Sequence, residues 1–334
     1  MTSTPCRAVA NDAAAPHQVL AAIPGLLGFQ PQDSLVVVFF DPTSHIVMTA
    51  RLDWSDLVAD EDGTAAQLVG YASRAEAEGL ALIAAGPTQH PQEQERQLER
   101  LAFAMDRAAP YQPSVLWRAH TQAGRWWSPD CIWTCGTRSH ELLAVYESPL
   151  AYSLALSGRL VAPSRDAVLA RLSPAGAVAR RRVADCMAVA PVGVCMDEAL
   201  ELLLFLRGEL TPADLAEIIR ACHQISGRDE LLLRFTSYAR SKPEVWREGL
   251  ESLEPAMTHA PDSHLAGIAT VVAFFHWQNG DGLLASAAVG KALAADPGYR
   301  LAGLLSVALS AGLPPGQWDA GDPDGPGASG LERL

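Results

Sequence analysis

The chain has 334 residues, of which 49% are hydrophobic and 19% charged, and its formal net charge is −13. This length and apolar content suffice for two compact domains with buried cores, and they exclude a wholly disordered chain. The acidic excess repels phosphate, which argues against nucleic acid as a partner bound through overall charge.

The sequence predicts neither a membrane segment nor a secretion signal. The longest apolar run, Leu265 to Phe275, has 11 residues, whereas a helix that spans a bilayer needs about 20. Residues 1–16 lack the basic start and apolar stretch of a signal peptide. The six cysteines are scattered through the chain, which is typical of reduced thiols. We therefore expect a cytoplasmic protein with no membrane partner.

The first half of the chain alternates strand and helix patterns. After a small, polar tail at residues 1–15, the pattern at 34–54 predicts a β-hairpin whose first arm is apolar throughout, as in a strand buried on both faces. In the second arm the residues alternate between two sets, and Ile46, Met48 and Leu52 belong to the same set, whose side chains are expected on one face of the sheet. Together these patterns predict an α/β domain over residues 16–147, a mixed sheet with covering helices. Its other elements are a helix at 63–79 that ends at its glycine, a strand at 81–86, a helix from Pro91 and a strand pair around 122–124.

Strand signals nearly vanish in the second half. Residues 148–320 predict an all-α domain, and the Gly- and Pro-rich residues 321–334 predict a flexible tail. Near the end of the helical domain, the string KALAADPGY is similar to the exit of the second helix of a tetratricopeptide repeat. Only one copy of the repeat can be recognised in the sequence. A peptide-binding groove and an ordinary helical hairpin are therefore both possible interpretations of this segment.

Four strings, in the same order along the chain, carry a resemblance to a known family. They are LLGFQPQDSLVVVFF (26–40), RWWSPDCIW (125–133), SPLAYSLALSG (148–158) and GDGLLASAAVGKALAADPGYRLAGLLSVALSAGLPPGQW (280–318). Together they resemble domain-of-unknown-function family 4192, which is widespread in actinobacteria. The resemblance implies a cytosolic bacterial protein and assigns no activity. Where the family tends to carry a closely spaced Cys-Cys-Pro element, this chain has CIWTCGTRSH (131–140). The resemblance therefore assigns no role of that element to these residues.

The loop before the first strand has a structural and a functional interpretation. Gly28 permits a positive φ, and Asp33 or Ser34 can bond to the turn backbone before the buried strand. Loops that strands hold in place also carry binding sites, so a binding loop is the alternative.

Two cysteines and two histidines are the best metal candidates. Cys131 and Cys135 have the spacing of a zinc knuckle, and His140 and His120 could complete a tetrahedral site. Zinc is the one cofactor that the sequence suggests. A pair of ordinary buried thiols, or a nucleophilic Cys135 beside one of the histidines, explains the same residues.

Familiar catalytic motifs nearly match and then fail. His140 and Glu141 begin like the HExxH of zinc proteases, but Ala144 stands where the second histidine belongs. The string GDGLLA at 280–285 fits a loose dinucleotide loop but lies between two predicted helices. The sequence therefore assigns no catalytic residues.

Two groups of residues are candidates for interaction. Trp126 and Trp127 are adjacent, so in a strand they face opposite sides of the sheet, and one of them is available for stacking or a partner unless both pack in the core. Residues 159–182 carry six arginines against the single acid Asp166, which suits an acidic partner or an anion unless nearby acidic helices neutralise them. The arginines are Arg159, Arg165, Arg171, Arg180, Arg181 and Arg182.

The sequence thus predicts an α/β domain followed by an all-α domain with a tetratricopeptide-like hairpin. We expect a non-enzymatic interaction or scaffold protein that binds another protein or its own copy. The alternative is an enzyme or small-ligand binder, with its site in the α/β domain around Asp33, Ser34, His120, Arg125 and residues 131–140.

Overall fold

The computed structural model describes residues 15–86, 90–109, 113–130, 139–156, 158, 161–189, 199, 203 and 210–315. Its contacts divide the chain into two compact units, Met1–Val168 and Leu169–Leu334, called the N-terminal and C-terminal units below. None of the described helices is both long and apolar enough to cross a membrane.

The N-terminal unit is built on a six-stranded sheet in the order β2-β1-β3-β4-β5-β6. β3 and β4 run parallel, and the other neighbouring strands pair antiparallel. The strands are β1 (Ser34–Phe40), β2 (Ile46–Asp53), β3 (Gly79–Ala85), β4 (Ser114–Gln122), β5 (Arg125–Trp127) and β6 (His140–Glu141). The helices are α1 (Pro16–Leu27), α2 (Trp54–Ala59), α3 (Glu61–Arg74), α4 (Pro91–Ala108) and α5 (Pro149–Leu156).

Helices cover the sheet on both faces, which confirms that the apolar first arm of the hairpin is a doubly buried strand. Every residue of β1 is buried. Leu35, Val37 and Phe39 pack with α2, α3 and α4 on one face, and Val36 and Val38 pack with α1 on the other. We call these the α4 face and the α1 face.

Two details of the predicted elements are wrong. Ile46 does not share the face of Met48 and Leu52, because an irregularity between Phe39 and Phe40 shifts the register and pairs Ile46 with Phe40 on the α1 face. The helix predicted at 63–79 also ends before the glycine at its predicted end, Gly79. This helix, α3, stops at Arg74, and Glu76 turns the chain with a φ of 52°.

The C-terminal unit is helical in the part that the structure describes. α6 (Arg165–Leu169) crosses the boundary between the units and is followed by a 3-10 turn (Ala170–Leu172). Thr211 caps the start of α8 (Pro212–His223), since its hydroxyl and the carboxylate of Asp214 cap each other's backbone. The remaining helices are α7 (Ala177–Val189), α8 (Pro212–His223), α9 (Ile225–Ala239), α10 (Val245–His259), α11 (Leu265–Gln278), α12 (Gly282–Ala295) and α13 (Arg300–Ser310).

α11 forms the core of this unit. All residues from Gly267 to Trp277 are buried, and α8, α10 and α12 pack around them. α12 and α13 form a helical hairpin across the predicted Asp-Pro-Gly-Tyr break. Its assignment as a tetratricopeptide unit stays a prediction, as do the domain limits drawn from sequence. The contacts group α5, which packs on α1, with the N-terminal unit.

Candidate functional site

One edge of the sheet holds several residues that the sequence singles out, among them Ser34, His120 and Arg125. It is the edge where the parallel strands β3 and β4 end, and ligands of α/β proteins bind preferentially outside such carboxyl ends. Ser34, the first residue of β1, pairs with Ala85 of β3 and with Asp53 of β2, so the loop before β1 lies at this edge. We call it the carboxyl edge.

A short hydrogen-bond network holds this loop. Gly28 ends α1 with a φ of 78°, as its sequence position predicts. The buried hydroxyl of Ser34 donates to the carbonyl of Gln32 at 2.5 Å and accepts from Nε of Arg51 at 2.7 Å. Arg51 also contacts the carboxylate of Asp53 at 2.7 Å. Asp33 has a φ of 44°, and its carbonyl accepts from the backbone N–H of Trp54. Ser34 therefore fixes both the loop and the guanidinium of Arg51.

A polar cleft of about 590 Å³ opens beside Arg51. Its volume lies within the usual range of small-molecule pockets, but its lining is polar rather than apolar. The charged lining residues are Arg51, Asp53, Asp56, Asp60 and Arg165. The arrangement presents guanidinium and carboxylate groups together, so it suits a ligand that carries both charges.

His120 is the buried polar residue nearest the end of β4. Its side chain is fully buried, its ring stacks on Trp127 at 5.1 Å, and Nδ1 lies 3.2 Å from the side-chain oxygen of Gln94 on α4. Nε2 has no hydrogen-bond partner within the part of the chain that the structure describes. Burial, together with the nearby charge of Arg118, lowers the pKa of His120 to about 4. The imidazole is therefore neutral at pH 7, and with Nδ1–H donated to Gln94 it presents a free lone pair on Nε2.

Of the four predicted metal ligands the structure describes two, His120 and His140, and these two histidines do not lie together. His120 pairs with Trp127 across β4 and β5, whereas His140 pairs with Trp126 across β5 and β6. Because neighbours along a strand point to opposite faces, His120 lies on the α4 face and His140 on the α1 face. Cys131 and Cys135 lie outside the described residues. Within those residues, no group of three or more His, Cys, Asp or Glu side chains is placed to hold a metal.

The two tryptophans take different roles. Trp126 is buried in the core under α1 together with Trp117. Trp127 is half-buried and stacks on His120. Trp133 lies outside the described residues.

The arginine-rich stretch is partly neutralised. Arg171 pairs with Glu254 at 2.5 Å, and Arg180 pairs with Asp262 at 2.5 Å. Arg181 and Arg182 are exposed on α7. Arg165 lines the polar cleft, and Arg159 lies outside the described residues. The structure thus leaves a smaller basic surface than the sequence count indicates.

Sequence reasoning missed an exposed apolar surface on the N-terminal unit. It consists of five exposed large hydrophobic side chains that are close in sequence, on α5 and in the segments before and after it, and we call it the α5 patch. Tyr152 and Leu156 stand one helical turn apart within the string SPLAYSLALSG, which was the available signal. The members are Val145 (49% exposed), Tyr146 (78%), Tyr152 (50%), Leu156 (70%) and Val161 (49%).

These features define a two-unit protein, α/β and then helical, with no assembled metal cluster among its described residues. Residues 16–316 match the family model described as Domain of unknown function (DUF4192). The chain belongs to this family. No curated protein and no solved structure matches it.

Proposed function

We propose that this is a non-enzymatic interaction protein of the cytoplasm that self-associates through the α5 patch. The observation that carries the proposal is the clustering of five exposed hydrophobic side chains within residues 145–161. Exposed apolar clusters of this kind mark interaction surfaces, whereas single exposed hydrophobic residues do not. The free thiols of Cys186 and Cys222 support a reducing compartment.

Charge favours a second copy of the chain as the occupant of the α5 patch. The described residues from 142 to 158 contain one charged side chain, Glu147, and its carboxylate accepts the backbone N–H of Ala144 at 2.8 Å. Each whole chain carries a net charge of −13, so two copies repel each other on average when they meet away from the α5 patch. A dimer in which the α5 patches of the two copies pack together brings few charges near one another. A two-fold dimer uses the same surface on both copies, so that surface must be self-complementary.

The first prediction concerns the mass of the protein in solution. The wild-type chain is expected to be a dimer by light scattering at micromolar concentration. The double variant Tyr152→Ser/Leu156→Ser is expected to be a monomer with unchanged circular dichroism, because both side chains are already exposed. Phe103→Ser, at a 63% exposed position on α4 outside the patch, should stay dimeric. A monomeric wild type, or a double variant that remains dimeric, would overturn the proposal.

We also propose a small-ligand site at the carboxyl edge as a second function, because of His120. A buried acceptor without a partner costs about 1–3 kcal/mol, and unpaired groups of this kind are often found where a ligand or catalytic function uses them. A ligand that donates an N–H or O–H to Nε2 would recover that cost. The ring is already held by Gln94 and Trp127, so the acceptor is fixed in place before the ligand binds.

The second prediction compares two histidines on opposite faces of the same sheet. Native mass spectrometry of the purified protein is expected to show a bound small molecule, which His120→Leu loses and His140→Leu retains. The released molecule is identified by mass after denaturation. Wild-type protein without any bound molecule, or His120→Leu that still carries it, would contradict a site at His120.

A further inference from the structure

A cluster of charged groups around one buried histidine links four segments of the C-terminal unit. His276, on α11, has no solvent exposure and lies between two carboxylates. Its Nε2 is 3.2 Å from Glu254 on α10, and its Nδ1 is 3.6 Å from Asp281 in the turn before α12. Arg171 lies behind Glu254 at 2.5 Å. We call these four residues the His276 cluster.

Asp281 is turned toward His276 instead of toward its own helix. It occupies the N-cap position of α12, where an aspartate side chain normally accepts a backbone N–H from the first turn. Its carboxylate makes no such capping bond. It lies near His276 and accepts from the side chain of Asn279 at 2.7 Å, while the Asp281 N–H donates to the carbonyl of His276 at 2.8 Å. The start of α12 is therefore tied to α11 through this cluster.

The charges of the cluster balance in one protonation state. With His276 protonated, two cations and two anions face one another and the sum is zero. Neither contact of His276 meets the geometry of a hydrogen bond, and the attraction of the two carboxylates for the ring depends on that proton. When the proton leaves, the carboxylates of Glu254 and Asp281, whose side chains are 13% and 33% exposed, lose the cation between them and one net negative charge remains around the buried ring, which is unfavourable.

We propose that the His276 cluster is a proton-operated latch, in which protonated His276 joins α10 and α11 to the start of α12 and loss of the proton releases the turn. The step moves a single proton from the imidazolium to solvent. The charged groups that face the ring are Glu254 from α10 and Asp281 from the turn, with Arg171 acting on Glu254. This device is independent of the α5 patch and of the carboxyl edge.

The sign of the pH dependence follows from the direction of the pKa shift. Burial lowers the pKa of His276, but the carboxylates of Asp281 and Glu254 outweigh it and raise the pKa above its ordinary value of 6.5. The latch is thus fully closed below the unfolded-state pKa and opens as pH rises through the folded-state pKa. The pKa values of His17, His120 and His264 shift downward, so their effects fall on the acid side of this window.

The third prediction is a direct titration of the latch. In the full-length protein, NMR should show the His276 ring titrating above 6.5. Over roughly pH 6 to pH 9, amide exchange at residues 280–282 should accelerate about tenfold beyond its intrinsic pH dependence. His276→Gln should abolish this extra acceleration, and Glu251→Gln, at an exposed position on α10, should keep it.

Two results would overturn the latch. One is a His276 ring that titrates at or below 6.5 in the wild type. The other is wild-type exchange at 280–282 that follows only the intrinsic pH dependence. Both measurements use the wild-type chain, so they remain decisive even if a variant folds poorly.

Discussion

Replacing Gly267 with alanine is expected to lower the free energy of unfolding by about 2–4 kcal/mol. Gly267 lies at the start of α11, where an added Cβ would stand 2.4 Å from the carbonyl oxygen of Cys222 and 3.2 Å from the Cα of His223, at the end of α8. These atoms are backbone, so a rotamer change cannot make room and one of the two helices must shift.

A second glycine in the same unit provides the control. Gly290 lies inside α12, is exposed, and has no heavy atom within 4 Å of the position of an added Cβ. Gly290→Ala is therefore expected to stabilise the protein by about 0.5–1 kcal/mol, the usual difference between alanine and glycine inside a helix. Urea unfolding midpoints of the two variants should move in opposite directions. Equal shifts would show that the α8–α11 contact does not limit the space at Gly267.

Phe39→Ala is expected to remove about 3–5 kcal/mol of stability from the N-terminal unit. Phe39 lies in β1, which is paired on both sides, has no solvent exposure, and packs on the α4 face among leucines from β3, α3 and α4. Truncation leaves a cavity that a strand paired on both sides cannot close by moving.

Phe103→Ala is the matched control for this deletion, because it removes the same atoms from a 63% exposed position on α4. Its effect should stay within about 0.5 kcal/mol. Thermal unfolding followed by circular dichroism distinguishes the two outcomes. If Phe39→Ala unfolds at the wild-type temperature, β1 is not the core strand that its burial indicates.

Much of the fold could be predicted because it depends on local patterns. The unbroken apolar run of β1 requires cover on both faces, and the helix patterns that alternate with the strands supply that cover, so a layered α/β unit could be predicted. The loss of strand patterns after residue 147 likewise predicts the helical unit. Gly28 and Thr211 mark a helix end and a helix start through backbone preferences that need no distant partner.

Which candidate residues lie close together could not be predicted from the sequence, because it depends on how strands pair. Spacing along the chain suggested that His120 and His140 could share a metal. Their faces are instead set by the registers of β4 with β5 and of β5 with β6, which place them on opposite sides of the sheet. The same argument applies to Ile46, which a single register shift moves to the α1 face.

By itself, the sequence determined the strands of the hairpin, most of the longer helices, that a helical half follows the α/β half, and that the chain is strongly acidic. These are properties of hydrophobic period, backbone preference and composition. Only the tertiary structure decided which polar groups are buried together. His276 meets Glu254 and Asp281 because three separate segments pack on one another, and desolvation then makes their charges interdependent. The α5 patch is also a tertiary result, because an apolar helix face is exposed or covered according to what packs against it.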